Sequence, residues 1–188
     1  MLFVGSNPPN EGAARREEYF RTVTHEFGRL LNRLASGYEA DPEKRHDLCQ
    51  EIQLQLWKSL EAFDGRCSLK TWTLRVAHNT AASYVARESR WRTRYVSLEE
   101  LDTGAYDAGT EGNGAALERQ IALDHLYRLI RELKPLDRQV MLSWLEDMDA
   151  ATIAEVTGLS AANVAMKVHR IRNVLMRRSQ PTQVQQHA

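Results

Sequence analysis

Residues 136–178 read LDRQVMLSWLEDMDAATIAEVTGLSAANVAMKVHRIRNVLMRR. Three short helical patterns follow one another here, over about residues 136–145, about 150–157, and from Ser160 onward. Gly158 can enter the left-handed region of a tight turn without steric cost, and the Ser160 hydroxyl is a good acceptor for the first N–H groups of the third helix. In that helix Val164, Val168, Ile171 and Leu175 form one inward stripe, while Asn163, Met166, Lys167 and Arg170 fall outside it. The pattern predicts a helix-turn-helix, in which the second element braces the third in a major groove. Ser160, Asn163 and Met166 near the helix start are placed for base edges, and Lys167 and Arg170 for phosphates. The alternative is an ordinary helical hairpin with a solvated basic face. The Gly-Leu-Ser turn and the lack of acids in the third helix favour DNA.

Charge segregation points the same way. The chain has 188 residues and a formal net charge of zero, with 43% hydrophobic content, enough for one medium domain or two small ones. The zero is an average over opposed segments. From residue 66 to 97 the cations Arg66, Lys70, Arg75, Arg87, Arg90, Arg92 and Arg94 face a single acid, Glu88. From 98 to 118 there are only acids, and from 163 to 178 only bases. Local charge sets the field that a phosphate backbone meets.

The N-terminal half is helical as well. Phe20, Val23, Phe27, Leu30, Leu31 and Leu34 predict a helix over about residues 13–36, after a loose arm over 1–12. Asp41-Pro42 starts a second helix running to about residue 62, with Leu48, Ile52, Leu56 and Leu60 as its stripe; Asp64-Gly65 breaks it. A third covers about residues 71–90. Leu74, Ala77, Ala81, Tyr84 and Val85 gather on one side of it, and Arg75, Asn79, Ser83 and Arg87 follow one another at spacings of four on the other. Cations, an amide and a hydroxyl in one line suit single-stranded nucleic acid, the cations following phosphate and the amide or hydroxyl reading a base edge.

The segment 97–118 is acidic, glycine-bearing and aperiodic, and reads as a flexible linker. The expected architecture is therefore all-α, with two small helical domains over 13–96 and 119–178 and a flexible tail over 179–188.

With both halves in view, the chain resembles a bacterial RNA polymerase sigma factor of the extracytoplasmic-function group. The resemblance spans about residues 17–178. It is carried by DLCQEIQLQLWKSLEAFDG (47–65), TWTLRVAHNTAASYVARESRWR (71–92) and LKPLDRQVMLSWLEDMDAATIAEVTGLSAANVAMKVHRIRNVL (133–175). It implies an initiation factor without catalytic chemistry of its own. Asp47, Leu48, Gln50, Glu51 and Leu54 would dock on the clamp of the largest polymerase subunit. The loop and third helix (Asp64, Arg66, Ser68, Lys70, Arg75, Asn79, Ser83, Arg87 and Arg90) would bind and open the promoter −10 element, with a base extruded into the loop. The second domain would read the −35 element and touch the polymerase flap. An anti-sigma protein or other regulator is the further partner implied. Two departures stand out: Lys44, Arg45 and His46 occupy positions where relatives carry acids, and Thr152 replaces a common Glu.

Other chemistries find little footing. His46 and Cys49 have an H-x-x-C spacing without a second pair nearby, so ordinary roles are favoured over zinc. Cys67, in the proposed specificity loop, raises a redox role that no further feature supports. Trp57, Trp72 and Trp144 read as core aromatics. No paired acid/base carboxylates, phosphate-cradling glycine motif, cofactor site or small-molecule substrate is implied. Two cysteines, no signal-peptide pattern and no apolar run near the roughly 20 residues of a membrane span lead to a cytoplasmic expectation. A stand-alone helix-turn-helix regulator binding an operator remains the competing reading, ahead of a metal-dependent nucleic-acid enzyme. Binding to core polymerase separates the first from the sigma reading.

Overall fold

The computed structural model describes residues 11–95 and 114–179, with side chains described over 12–89 and 115–179. These residues form seven α-helices: α1 (Glu11–Ser36), α2 (Pro42–Ser59), α3 (Leu69–Tyr95), α4 (Gly114–Arg131), α5 (Pro135–Leu145), α6 (Ala150–Thr157) and α7 (Ala161–Ser179). A short 3-10 turn, Leu60–Ala62, follows α2. No strand occurs among the described residues.

Local chemistry starts and stops the helices. Asp41 caps α2, its carboxylate accepting from the Glu43 and Lys44 N–H groups at 2.9 and 3.1 Å, with Pro42 at the first position. Asp149 caps α6 through the Thr152 N–H at 2.7 Å, a bond that also lowers its pKa. Gly158 closes α6 at φ +75°, and Ser160 accepts from the Asn163 N–H at 3.3 Å to open α7. The turn expected from Gly-Leu-Ser is therefore present in the predicted register.

Some boundaries differ from the expectation. Ser68 ends the loop earlier than predicted: its hydroxyl accepts from the Thr71 N–H at 3.0 Å, so α3 starts at Leu69. α4 begins at Gly114, so residues 114–118 of the expected linker are helical; Ala115, Ala116, Leu117 and Glu118 are good helix formers. α1 likewise takes in residues 11 and 12 of the expected arm, and α7 takes in residue 179 of the tail. The rest of the arm, linker and tail lies outside the described residues.

α1, α2 and α3 form the N-terminal unit around Val23, Leu30, Leu34, Leu48, Ile52, Leu56, Leu74, Ala77 and Ala81. α4 to α7 form the C-terminal unit around Ile130, Val140, Ile153, Val164 and Ile171. The two stripes expected on α2 and α7 are buried, as their periodicity required. The units also pack on each other, α3 meeting α5 and α6, so the buried apolar residues make one continuous cluster. At this junction Leu142 of α5 lies over Gly37, just past α1, so closely that a Cβ at Gly37 would collide with its methyls. No described helix is long and apolar enough to cross a membrane.

Candidate nucleic-acid interface

The outer face of α7 carries the residues expected for duplex reading. Ser160, Asn163, Met166 and Arg170 are exposed, Met166 at 64%, while Val164 and Val168 beside them turn inward. Asp137 of α5 reaches both cations, at 2.6 Å from Lys167 Nζ and 3.4 Å from Arg170. This pairing orients the two side chains and offsets their charge. Arg172, farther along, lies over the Trp144 ring at 5.0 Å, which accounts for that half-buried indole.

On α3 the expected stripe divides into three. Asn79 and Ser83 are exposed. Arg87 is not the unpaired cation that its sequence neighbourhood suggests: it holds Glu51 of α2 through two bonds of 3.2 and 2.7 Å and lies over the Tyr84 ring. The same hydrogen bonds from Arg87 lower the Glu51 pKa. At the other end of the stripe, Arg75 donates to the Glu155 carbonyl of α6 at 2.8 Å, and Lys70 to the Glu146 carbonyl past α5 at 3.0 Å. Both therefore contact the C-terminal unit. Arg90 lies within α3, but its side chain is outside the described residues, as are those of Trp91, Arg92 and Arg94.

The loop before α3 is more structured than its composition suggests. Asp64 accepts from the Arg66 N–H at 3.1 Å and pairs with its guanidinium at 3.0 Å, across Gly65 at φ +77°. Ser68 spends its hydroxyl on the helix cap and on Thr71 Oγ1 at 2.8 Å. Phe63 packs edge-on against Tyr19 and Trp72, and Trp72 Nε1 donates to Ser59 Oγ at 3.2 Å, anchoring both sides of the loop.

The α2 surface expected to meet polymerase is mixed. Asp47 and Gln50 are exposed, Glu51 is partly so, and Leu54 shows half its surface among them. Leu48 is the exception: it is fully buried in the core, because it shares the stripe of Ile52 and Leu56, and it cannot itself touch a partner. His46 meets the Gln50 amide at 2.9 Å and Cys49 donates to Asn32 Oδ1 at 3.3 Å, so the H-x-x-C pair is engaged elsewhere; burial raises the Cys49 pKa. Among the described residues no group of three or more His, Cys, Asp or Glu side chains is arranged to hold a metal ion.

Sequence reasoning passed over His78, which is 1% exposed. Its Nδ1 meets the Tyr38 hydroxyl and its Nε2 the Ser143 hydroxyl of α5, each at 3.0 Å. Burial drives its pKa down to about 3, which keeps the ring neutral. The signal was available: residue 78 lies four after Leu74 and three before Ala81, on the packing side of the wheel.

Comparison with known proteins places these surfaces in a family. Residues 24–91 match the model of Sigma-70 region 2, and residues 123–175 that of Sigma-70 region 4. The ECF RNA polymerase sigma-E factor of Haemophilus influenzae is 30% identical over 145 residues, covering 72% of this chain and 74% of that protein. The RNA polymerase sigma factor YlaC of Bacillus subtilis is 26% identical over 132 residues, covering 69% and 74%. Among solved structures, CnrH in complex with the cytosolic domain of CnrY aligns with a TM-score of 0.61 at 18% identity, covering 89% of this chain and 91% of that one. The sigma factor RpoE of Bartonella quintana in complex with the anti-sigma factor NepR aligns at 0.59 and 17% identity, covering 85% and 99%. At such identities these two speak to the fold.

Proposed function

The chain belongs to the extracytoplasmic-function RNA polymerase sigma factors, and from that premise we propose how its surfaces divide the work of initiation. Asp47, Gln50, Glu51 and Leu54 of α2 dock on the clamp of core polymerase. Asn79 and Ser83, with Arg75 and Arg87 on either side and Lys70, Asp64, Arg66 and Ser68 in and beside the loop, bind the −10 element and help to melt it. Ser160, Asn163, Met166, Lys167 and Arg170 of α7 meet the −35 element. The protein contributes binding energy and strand selection, and polymerase does the chemistry.

The observation that carries the α2 assignment is Leu54. A half-exposed leucine among two acids and an amide, on a helix whose opposite stripe is wholly buried, is an apolar anchor with a polar rim. The −10 assignment rests on Asn79 and Ser83, an amide and a hydroxyl held outward on a rigid helix between two arginines. Both structural neighbours are complexes with a second protein, which in one of them is the anti-sigma factor NepR, and this supports control of this chain by a protein of that kind.

In vitro transcription with core polymerase, followed by mapping of the start sites, tests the reading. The full chain gives promoter-specific transcripts, and Leu54→Ala weakens capture of core enzyme. Operator binding with no polymerase capture and no specific transcript would instead identify a stand-alone regulator.

A further inference from the structure

Lys167 and Arg170 lie one turn apart on α7, on the face that carries Asn163 and Met166. Both are tied to a single carboxylate of another helix. Asp137 Oδ1 accepts from Lys167 Nζ at 2.6 Å and Oδ2 from an Arg170 nitrogen at 3.4 Å, so each oxygen serves one cation. Among the described residues Asp137 is the one carboxylate shared by two cations of α7. Arg178 pairs with Glu132 at 3.0 Å, Arg172 lies over Trp144, and Arg177 donates to the Asn173 carbonyl.

The two cations are held unequally. The Asp137 side chain is 14% exposed and that of Lys167 25%, whereas that of Arg170 is 65% exposed. The lysine bond is short, joins two full charges and is little screened by water, so it takes up most of the Lys167 charge. Arg170 gives one nitrogen through a longer bond and keeps the rest of its five-donor fork turned to solvent. Two cations against one anion leave one positive charge in excess, and it sits on the group whose donors are free.

We infer that Asp137 is a positioning residue of the −35 surface: it takes up the Lys167 charge and sets where the Arg170 guanidinium stands when α7 enters a major groove. This rests on the assignment of α7 to the −35 element. A phosphate contact carries no sequence information itself, but it fixes the register in which neighbouring side chains meet base edges. Asn163 lies four residues before Lys167 and seven before Arg170, so the register set by the cations is the one in which Asn163 and Met166 reach the bases. Charge and aim have separate consequences. A loose Lys167 strengthens every complex alike and steepens the salt dependence. A loose Arg170 blurs the register and lowers the preference for the right sequence. An acid in the first turn of α5 also has an ordinary use, because it favours the helix start. That use asks for no cation from a helix 30 residues further on.

The experiment uses holoenzyme, the full chain with core polymerase, and two duplexes from a promoter mapped by its start site. One keeps its −35 region and the other has that region scrambled. Asp137→Asn keeps the shape of the side chain and removes its charge. The ratio of affinities, intact over scrambled, should fall by about fivefold, as much as one base-pair position contributes. The log–log salt slope should steepen by about 0.9 on both duplexes as Lys167 gains a phosphate. Glu132→Gln makes the same change of charge beside Arg178 and should leave the ratio unchanged. Adding Lys167→Gln to Asp137→Asn should return the slope to the wild-type value without restoring the ratio, because Arg170 still lacks its brace. An unchanged ratio in Asp137→Asn, with at most a lower midpoint in urea, reduces Asp137 to a first-turn acid and leaves the −35 assignment standing. An equal fall in Glu132→Gln, or full recovery of the ratio in the double variant, makes the effect one of charge alone and overturns the positioning role. If wild-type holoenzyme does not distinguish the two duplexes, the −35 assignment itself fails and the inference goes with it.

Discussion

The two helices proposed to face DNA hold their cations differently. α7 restrains its cations within its own unit, on Asp137 of the neighbouring α5, and keeps Asn163 and Met166 open to solvent. α3 restrains its cations across boundaries, Arg87 on Glu51 of α2 and Arg75 and Lys70 on carbonyls of the C-terminal unit. The α7 surface is therefore complete in any arrangement of the units, whereas the α3 surface depends on how they sit together. A reader of duplex DNA can be preformed.

The comparison breaks hardest if α7 loses its brace. Ile153 of α6 is 1% exposed in the C-terminal core, and Ile153→Ala should cost about 2–5 kcal/mol in urea unfolding. Duplex −35 binding should fall with it, while the N-terminal unit still captures core polymerase. Equal loss of both would mean that the units are not separable in function.

Acid should act on α3 through His78. His78 is neutral in the folded protein with a pKa of about 3, against about 6.5 when solvated. A base whose pKa is depressed by burial contributes stability that is fully present above pH 6.5 and is lost as pH falls from there toward 3. Within that window the slope is about 1.4 kcal/mol per pH unit, since unfolding binds one proton at His78. The groups facing His78 in these contacts, the Tyr38 and Ser143 hydroxyls, carry no charge near neutrality. Urea unfolding across this range should show the loss of stability, and His78→Gln should flatten the response.

Salt dependence sharpens the contrast by smaller steps. Arg75→Ala should reduce the log–log salt slope for single-stranded DNA by about 0.7, and Arg170→Ala that for duplex −35 DNA by about 0.9, each without altering the other. The smallest effect is expected at Arg87 and Glu51. Both are partly exposed, and a double-mutant cycle on stability should return about 0.2–1 kcal/mol of coupling.

Much of the fold was legible because it is written locally. Asp41-Pro42, Asp149, Gly158 and Ser160 act on backbone groups two to four residues away, and the Leu48 and Val164 stripes follow helical spacing. The candidate site was legible as a set of residue types and faces. It was not legible as a set of partners. Leu48 looked available and is core; Arg87 also holds a glutamate 36 residues earlier, and Ser68 also caps α3.

The sequence by itself determined the helices, their caps, the helix-turn-helix and the opposed basic and acidic segments, since these depend on neighbours within a few positions and on composition. Only the tertiary structure decided that Arg33 meets Glu146 across 113 residues, that Lys70 and Arg75 end on carbonyls, and that His78 is sealed between Tyr38 and Ser143. The physical reason is that main-chain acceptors leave no mark in residue identity. Which cation reaches them is set by the packing of two units, through contacts that no spacing along the chain encodes.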